Sequence, residues 1–232
     1  MRYLVIFTIF LLGFISNNLI GQTPIENDKL KFWQPDTKLI PEDFKADTSR
    51  SFNNLNRKFE MQAYSCCILK SIIDVPKKKR ERGKKLEKVY LAPCIDKYQS
   101  ISITTDSFEM AKQQMFFDIT ELFARKARQE FISLRDSMGY AYGIYWSMYA
   151  TVMSDICVRR NKMIDKYMME VILYNKEGAY DKWRKQVDEL LIEMKDYATK
   201  PEDCIRFLVG KPLTDDYIMS PDYLGEIKCK KE

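Results

Sequence analysis

Six cysteines and no histidine frame the chemistry open to this chain. Cys66, Cys67, Cys94, Cys157, Cys204 and Cys229 supply thiols that can pair, bind metal or act as nucleophiles. The lack of histidine removes Ser-His-Asp and Cys-His catalysis, histidine zinc sites and histidine pH switching. Carboxylate-only chemistry survives, as in paired-carboxylate glycoside hydrolysis. No Cys-x-x-Cys is present to make a redox-active pair, and there is no glycine-rich phosphate loop or nucleophile elbow. Asp215, Asp216 and Asp222 crowd near the C-terminal end, but without the Asp-x-Asp-x-Asp-Gly spacing of a calcium loop. These residues imply no metal, no cofactor and a non-enzymatic protein, with a carboxylate-based hydrolase as one alternative.

What the cysteines do depends on the compartment. Residues 1–21 begin with Arg2, continue through a stretch at 3–15 that is apolar apart from Thr8, and exit through Ser16-Asn17-Asn18-Leu19-Ile20-Gly21. This is the layout of a secretory signal peptide. Its apolar part is too short to span a bilayer, which takes about 20 residues. The tail Lys228-Cys229-Lys230-Lys231-Glu232 carries neither a retention ending nor a lipid-anchor signal. The expectation is a secreted, extracellular protein with no transmembrane segment in its mature chain. In that setting all six cysteines read as disulfide partners. Adjacent Cys66 and Cys67 do not suit a bond to each other inside a helix. One scheme ties one of them to Cys94 and the other to Cys157 or Cys229.

A second group of residues carries charge. Lys77, Lys78, Lys79, Arg80, Arg82, Lys84 and Lys85 lie in one run interrupted by Glu81 and Gly83. The whole chain has a formal net charge of +5, so the remainder is close to neutral. That pattern does not fit a uniformly basic nucleic-acid binder. The run reads as a solvated loop, as a contact for an anionic glycan or lipid surface, or as a multibasic processing site. A third group is aromatic. Tyr142, Tyr145, Trp146 and Tyr149 share one helix face beside Tyr140, suited to a ligand pocket or to a packed helix seam.

The elements that must position these residues read as helical. Glycine and proline are scarce, at 8 each, and Lys, Glu, Met and Leu are abundant. Residues 22–47 form an extended arm with Phe32, Trp33, Leu39 and Ile40 available to pin it. Leu55, Phe59, Tyr64, Ile68, Leu69 and Ile72 recur near helical spacing, and 86–98 suggests a short helix broken at Pro93-Cys94. Ile101 to Thr105 reads as an extended linker. Asp106 with Glu109 opens a long helix whose apolar face runs from Phe108 to Met138. Gly139 and Gly143 suit a hairpin into a second long helix ending near Gly178. Trp183, Val187, Leu190, Leu191 and Met194 mark a further helix, and Pro201 starts a short one stopped by Gly210.

The fold expectation is an all-α, disulfide-stabilised bundle of about five helices, two of them long. It comprises a helical domain over 48–210 and an irregular tail over 211–232 tied by Cys229. The function expected is a secreted interaction protein acting through its helical surface on an extracellular protein or an anionic surface. The alternative is a carrier holding a hydrophobic small molecule among Met and aromatic side chains.

Overall fold

The computed structural model describes residues 24–48 and 61–220. The leader at 1–21, the helix start at Leu55 and Phe59, Asp222 and Cys229 lie outside the described residues. The architecture is mixed rather than all-α. Among the described residues six strands are present: β1 (Leu30–Phe32), β2 (Ala63–Tyr64), β3 (Cys67–Pro76), β4 (Lys88–Asp96), β5 (Ile101–Ser102) and β6 (Tyr217–Met219). Four α-helices of the described residues join them: α1 (Ser107–Ser137), α2 (Ile144–Tyr167), α3 (Ala179–Glu193) and α4 (Pro201–Val209). An antiparallel sheet runs in the order β1-β4-β3-β6, and β2 pairs with β5 separately.

The strands replace the expected helices over 64–76 and 86–98, and the cause is double burial. An antiparallel sheet with one wet face shows clean alternation of apolar and polar residues. Here both faces are covered. Leu69, Ile73, Val75 and Leu91 pack with α1 and α2, while Ala92, Cys94 and Ile68 pack with Cys204, Phe207 and Leu208 of α4. Apolar residues on both faces erase the period of two, and residues such as Ile68, Leu69 and Ile72 then mimic helical spacing. The β-branched Ile72, Ile73 and Val75 favour the pleated backbone. Pro93 is accommodated in the central strand β4. Its carbonyl accepts from Trp33 N at 3.0 Å, so its missing N–H points at the same neighbour. The Gln34 side-chain amide donates to the Trp33 carbonyl at 2.6 Å instead.

From Asp106 onward the helices lie where the periodicity predicts them. Asp106 Oδ1 accepts from the backbone N–H groups of Phe108 and Glu109 at 2.9 Å each, capping α1. A glycine-marked turn connects α1 to α2, and a π-helical turn (Met168–Leu173) extends α2. The expected arm instead supplies an edge strand. Phe32, Trp33 and Leu39 are buried, whereas Ile40 is 46 % exposed.

Helix α1 packs against β3, β4, α2 and α3, and it is buried on all sides through its middle. Its polar residues Gln114, Asp118, Glu121, Arg125 and Arg128 follow steps of four and three along one stripe. Amphipathic periodicity would assign that stripe to solvent, yet loops, the arm and α3 cover it. Gln114 Oε1 accepts from Leu39 N at 2.9 Å, and Asp118 Oδ1 accepts from Trp33 Nε1 at 2.9 Å. Glu121 accepts from Thr199 N at 3.0 Å and from Arg125 Nε at 2.7 Å. Arg125 donates to the Leu191 carbonyl, and Arg128 donates to the carbonyls of Leu91 and Tyr197.

A second buried charge joins the sheet to α4. Arg206 and Asp74 are each 1 % exposed, and the guanidinium meets both carboxylate oxygens at 2.7 Å. Removing one partner of such a pair strands the other charge in the interior. Arg206→Met is therefore expected to cost about 3–5 kcal/mol in urea unfolding. The double variant Asp74→Leu/Arg206→Met should recover most of that loss. Equal stability of Arg206→Met and the unmodified chain would contradict the buried pair.

Candidate functional site

The basic run forms the turn between β3 and β4. A 3-10 turn (Lys79–Glu81) folds it back, and the Glu81 carbonyl accepts from Lys84 N at 3.0 Å and Lys85 N at 2.9 Å. Gly83 supplies the positive φ of 97° that this reversal needs. The turn is anchored at its base. Lys77 N donates to the Asp216 carbonyl at 2.8 Å, and Arg82 Nε donates to the Pro76 carbonyl at 3.2 Å. Lys85 Nζ reaches both Asp216 Oδ2 and Glu81 Oε2 at 2.9 Å. Those hydrogen bonds, Asp216 first, raise the Lys85 pKa, and Lys85 in turn lowers the carboxyl pKa of Asp216 and of Glu81.

The seven basic residues thus divide. Lys85 and Arg82 hold the turn together. Lys77, Lys78, Lys79, Arg80 and Lys84 are exposed, and among the described residues Lys78 makes the one ion pair of these five, with Glu81 at 3.7 Å. They stand on a fixed scaffold rather than on a loose loop.

The aromatic group does not assemble into one site. Tyr145 and Tyr149 are buried against Phe131, and Tyr149 hydroxyl bonds Ser71 on β3. Trp146 is 43 % exposed on another side of α2, and Tyr142 sits half-buried before the helix. The pair Tyr145 and Tyr149 therefore belongs to the core seam between α1, α2 and β3.

No protein-family model, curated protein or solved structure matches this chain. The functional argument therefore rests on the site geometry.

The cysteine expectation is corrected. No two described cysteines are bridged to each other, and Cys66, Cys67, Cys94 and Cys204 keep their thiols. Cys157, on α2, is disulfide-bonded, and its bond does not run to any of these four. The strand explains part of this. Cys67 opens β3 and packs on the cluster formed with α1 and α2, whereas Cys66 lies just before the strand with its Sγ toward Gln99 Oε1 at 3.8 Å. Cys94 and Cys204 lie together in the apolar cluster between sheet and α4, where burial alone stabilises a thiol. Burial pushes the Cys204 thiol up to about 12. A thiol that is neutral when folded and has an ordinary value of 9.0 when unfolded loses stabilisation as pH climbs from 9.0 toward about 12.

Two clefts border the polar stripe of α1. The larger, about 590 Å³, lies between the arm, α1 and α3 and is walled by Trp33, Leu39, Met110, Tyr180 and Leu191. At its polar end Arg184 binds Asp188 through two nitrogens and reaches Asp118 Oδ2 at 2.5 Å. Asp118 is saturated by Trp33, Gln114 and Arg184, so this carboxylate pair works as a clamp between α1 and α3.

The smaller cleft, about 360 Å³, lies where β4, α1, α2 and the Asp196–Lys200 region meet. Glu87 borders it at 4 % exposure. Its Oε1 accepts from Gly143 N at 2.9 Å and Tyr145 N at 3.1 Å, satisfying donors at the start of α2. Its Oε2 is buried with no hydrogen-bond partner, at a typical cost of about 1–3 kcal/mol. Asp203 also borders this cleft, and burial raises its carboxyl pKa. Sequence reading missed Glu87 because it follows the basic run and resembles a stray counter-charge. Among the described residues no cluster of three Cys, Asp or Glu side chains is arranged to hold a metal ion.

Iodoacetamide at pH 8 should modify the half-buried Cys66 in the folded chain and leave Cys94 and Cys204 untouched until urea unfolds it. Peptide mass mapping reads this directly. Labelling of Cys204 as fast as Cys66 in the folded state would show that the cluster under α4 is open.

Proposed function

We propose that the chain is an exported, non-enzymatic interaction protein whose β3–β4 turn binds a sulfated glycan surface. The observation that carries this reading is the rigid display of Lys77, Lys78, Lys79, Arg80 and Lys84 on an anchored turn. A turn whose backbone is held in place loses little loop freedom on binding, so more of the Coulomb attraction survives as affinity. Their fields reach only about 8 Å at physiological salt, so a partner must carry dense negative charge to engage several at once. The run holds no apolar side chain that could insert into a bilayer, which favours a glycan over a lipid surface. Export is supported by the leader pattern, which does not depend on the cysteines.

Binding to immobilised heparin should be retained at physiological salt and fall steeply as salt rises. The variant Lys78→Glu/Lys79→Glu/Arg80→Glu should bind at least tenfold more weakly, about 1.4 kcal/mol, with unchanged circular dichroism. Retention equal to that of the unmodified chain would refute the turn as the contact. Vesicles rich in acidic lipid provide the comparison arm, and stronger binding there than to heparin would reassign the partner.

The cleft between the arm, α1 and α3 favours a second reading as a carrier for a hydrophobic small molecule. Its volume of about 590 Å³ falls within the ordinary range for small-ligand sites, and Trp33, Leu39 and Met110 give it apolar walls. Native mass spectrometry of the purified chain incubated with fatty acids tests this, and a spectrum of unliganded protein alone would dismiss it.

A further inference from the structure

The basic turn adjoins a second exposed surface. Glu87 lies two residues beyond Lys85, about 7 Å along an extended chain. Its Oε1 accepts from Gly143 N at 2.9 Å and Tyr145 N at 3.1 Å, which fastens the α1–α2 connection beside the turn. The Arg82 charge also acts on the Tyr142 hydroxyl across this junction. The connection faces solvent: Met138 is 54 % exposed, Tyr140 53 % and Trp146 43 %, with Tyr142 half-buried.

Tyr140 occupies unusual backbone for its type. Its φ of 60° is left-handed, a region that glycine and asparagine adopt more readily than tyrosine. The position nevertheless carries a large ring, and the Arg135 guanidinium lies 4.8 Å from the centroid of that ring. Aromatic face and cation are therefore presented together. Tyrosine offers a flat apolar face and a polar tip at low cost in conformational freedom. A pyranose ring matches this, because its C–H face packs on the aromatic ring while its hydroxyls and sulfates stay at the edge. A polyanion without sugar rings gains the charges alone. Asp136 and Ser137 are exposed in the same stretch, which disfavours insertion into a bilayer.

We infer that the α1–α2 connection reads the sugar in the same contact: a sulfated glycan lays its sulfates on the basic turn and Arg135 and stacks its rings on Tyr140 and Tyr142. This rests on the glycan reading of the basic turn. Binding of the full chain to heparin is compared with binding to polyphosphate, a linear polyanion with no sugar ring. Tyr140→Gly/Tyr142→Ser keeps every ionised side chain, and glycine suits the backbone at 140. This variant is expected to bind heparin about fivefold more weakly and polyphosphate within about twofold of the unmodified chain, with unchanged circular dichroism. Undiminished heparin affinity, or an equal fall for both polymers, would overturn the inference and leave the basic turn standing as a contact. An unmodified chain that does not bind heparin would overturn both. Acrylamide quenching of the unmodified chain is the second measurement. Trp33 and Trp183 are 5 % and 4 % exposed, so Trp146 dominates the quenching. Heparin should reduce it and polyphosphate should not. Protection by vesicles of acidic lipid but not by heparin would overturn the inference and move the contact to a membrane.

Discussion

Helix α1 runs through the interior, so its polar side chains must find their partners inside the protein. Gln114, Asp118, Glu121, Arg125 and Arg128 form a continuous stripe, and water does not cover it. Buried polar groups left unpaired are costly, and this requirement orders the surroundings of the helix. The arm is fixed because Trp33 and Leu39 satisfy Asp118 and Gln114. The segment before α4 is fixed because Thr199 and Tyr197 satisfy Glu121 and Arg128. Irregular backbone in the arm and before α4 supplies donors and acceptors to this stripe, and α3 completes the cover through Arg184 and the Leu191 carbonyl. Both clefts lie along its edges, where that covering layer is incomplete.

The C-terminal half of the fold was legible because local signals agree there. Asp106 caps, the long apolar faces, the glycine turn and Pro201 each act within a few residues of sequence. The sheet was not legible, because its identity depends on what covers it. Ile68 faces α4 while Leu69 and Ile73 face α1, and no local window reveals two separate covers. The stripe on α1 failed in the same way. A run of Asp, Glu and Arg at helical spacing reads as a wet face unless the covering loops are known. Asp74, lodged in an apolar strand, was the one local sign of buried charge, and its partner Arg206 lies far along the chain.

The candidate sites show the same division. The basic turn was visible as a run, but its anchoring was not, since Asp216 comes from distant sequence. The aromatic stretch looked like one surface, and tertiary packing split it between the core and solvent. The cysteines were read through the leader, and the two lines of evidence have separated. A domain with a double-covered sheet and a buried central helix has enough apolar contact to hold thiols without bridging them. The expectation of export then rests on the leader pattern alone, and burial shields the Cys94 and Cys204 side chains.

Charge placement separates paired residues in the interior from exposed cations on the turn. Interior cations are matched closely: Arg206 by Asp74, Arg125 by Glu121, Arg184 by Asp118 and Asp188. At the β3–β4 turn the matching stops. Glu81 and Asp216 serve Lys85, which fixes the turn, and they leave the outward cations largely uncompensated. Full neutralisation would have stabilised the turn further by reducing repulsion among neighbouring lysines. The fold instead anchors the base of the turn and tolerates repulsion at its tip. Glu87 shows the opposite sign of the same imbalance, an interior anion with one oxygen unmatched. The tip of the turn borders solvent, so the repulsion it keeps is electrostatic energy that a ligand of opposite charge can release.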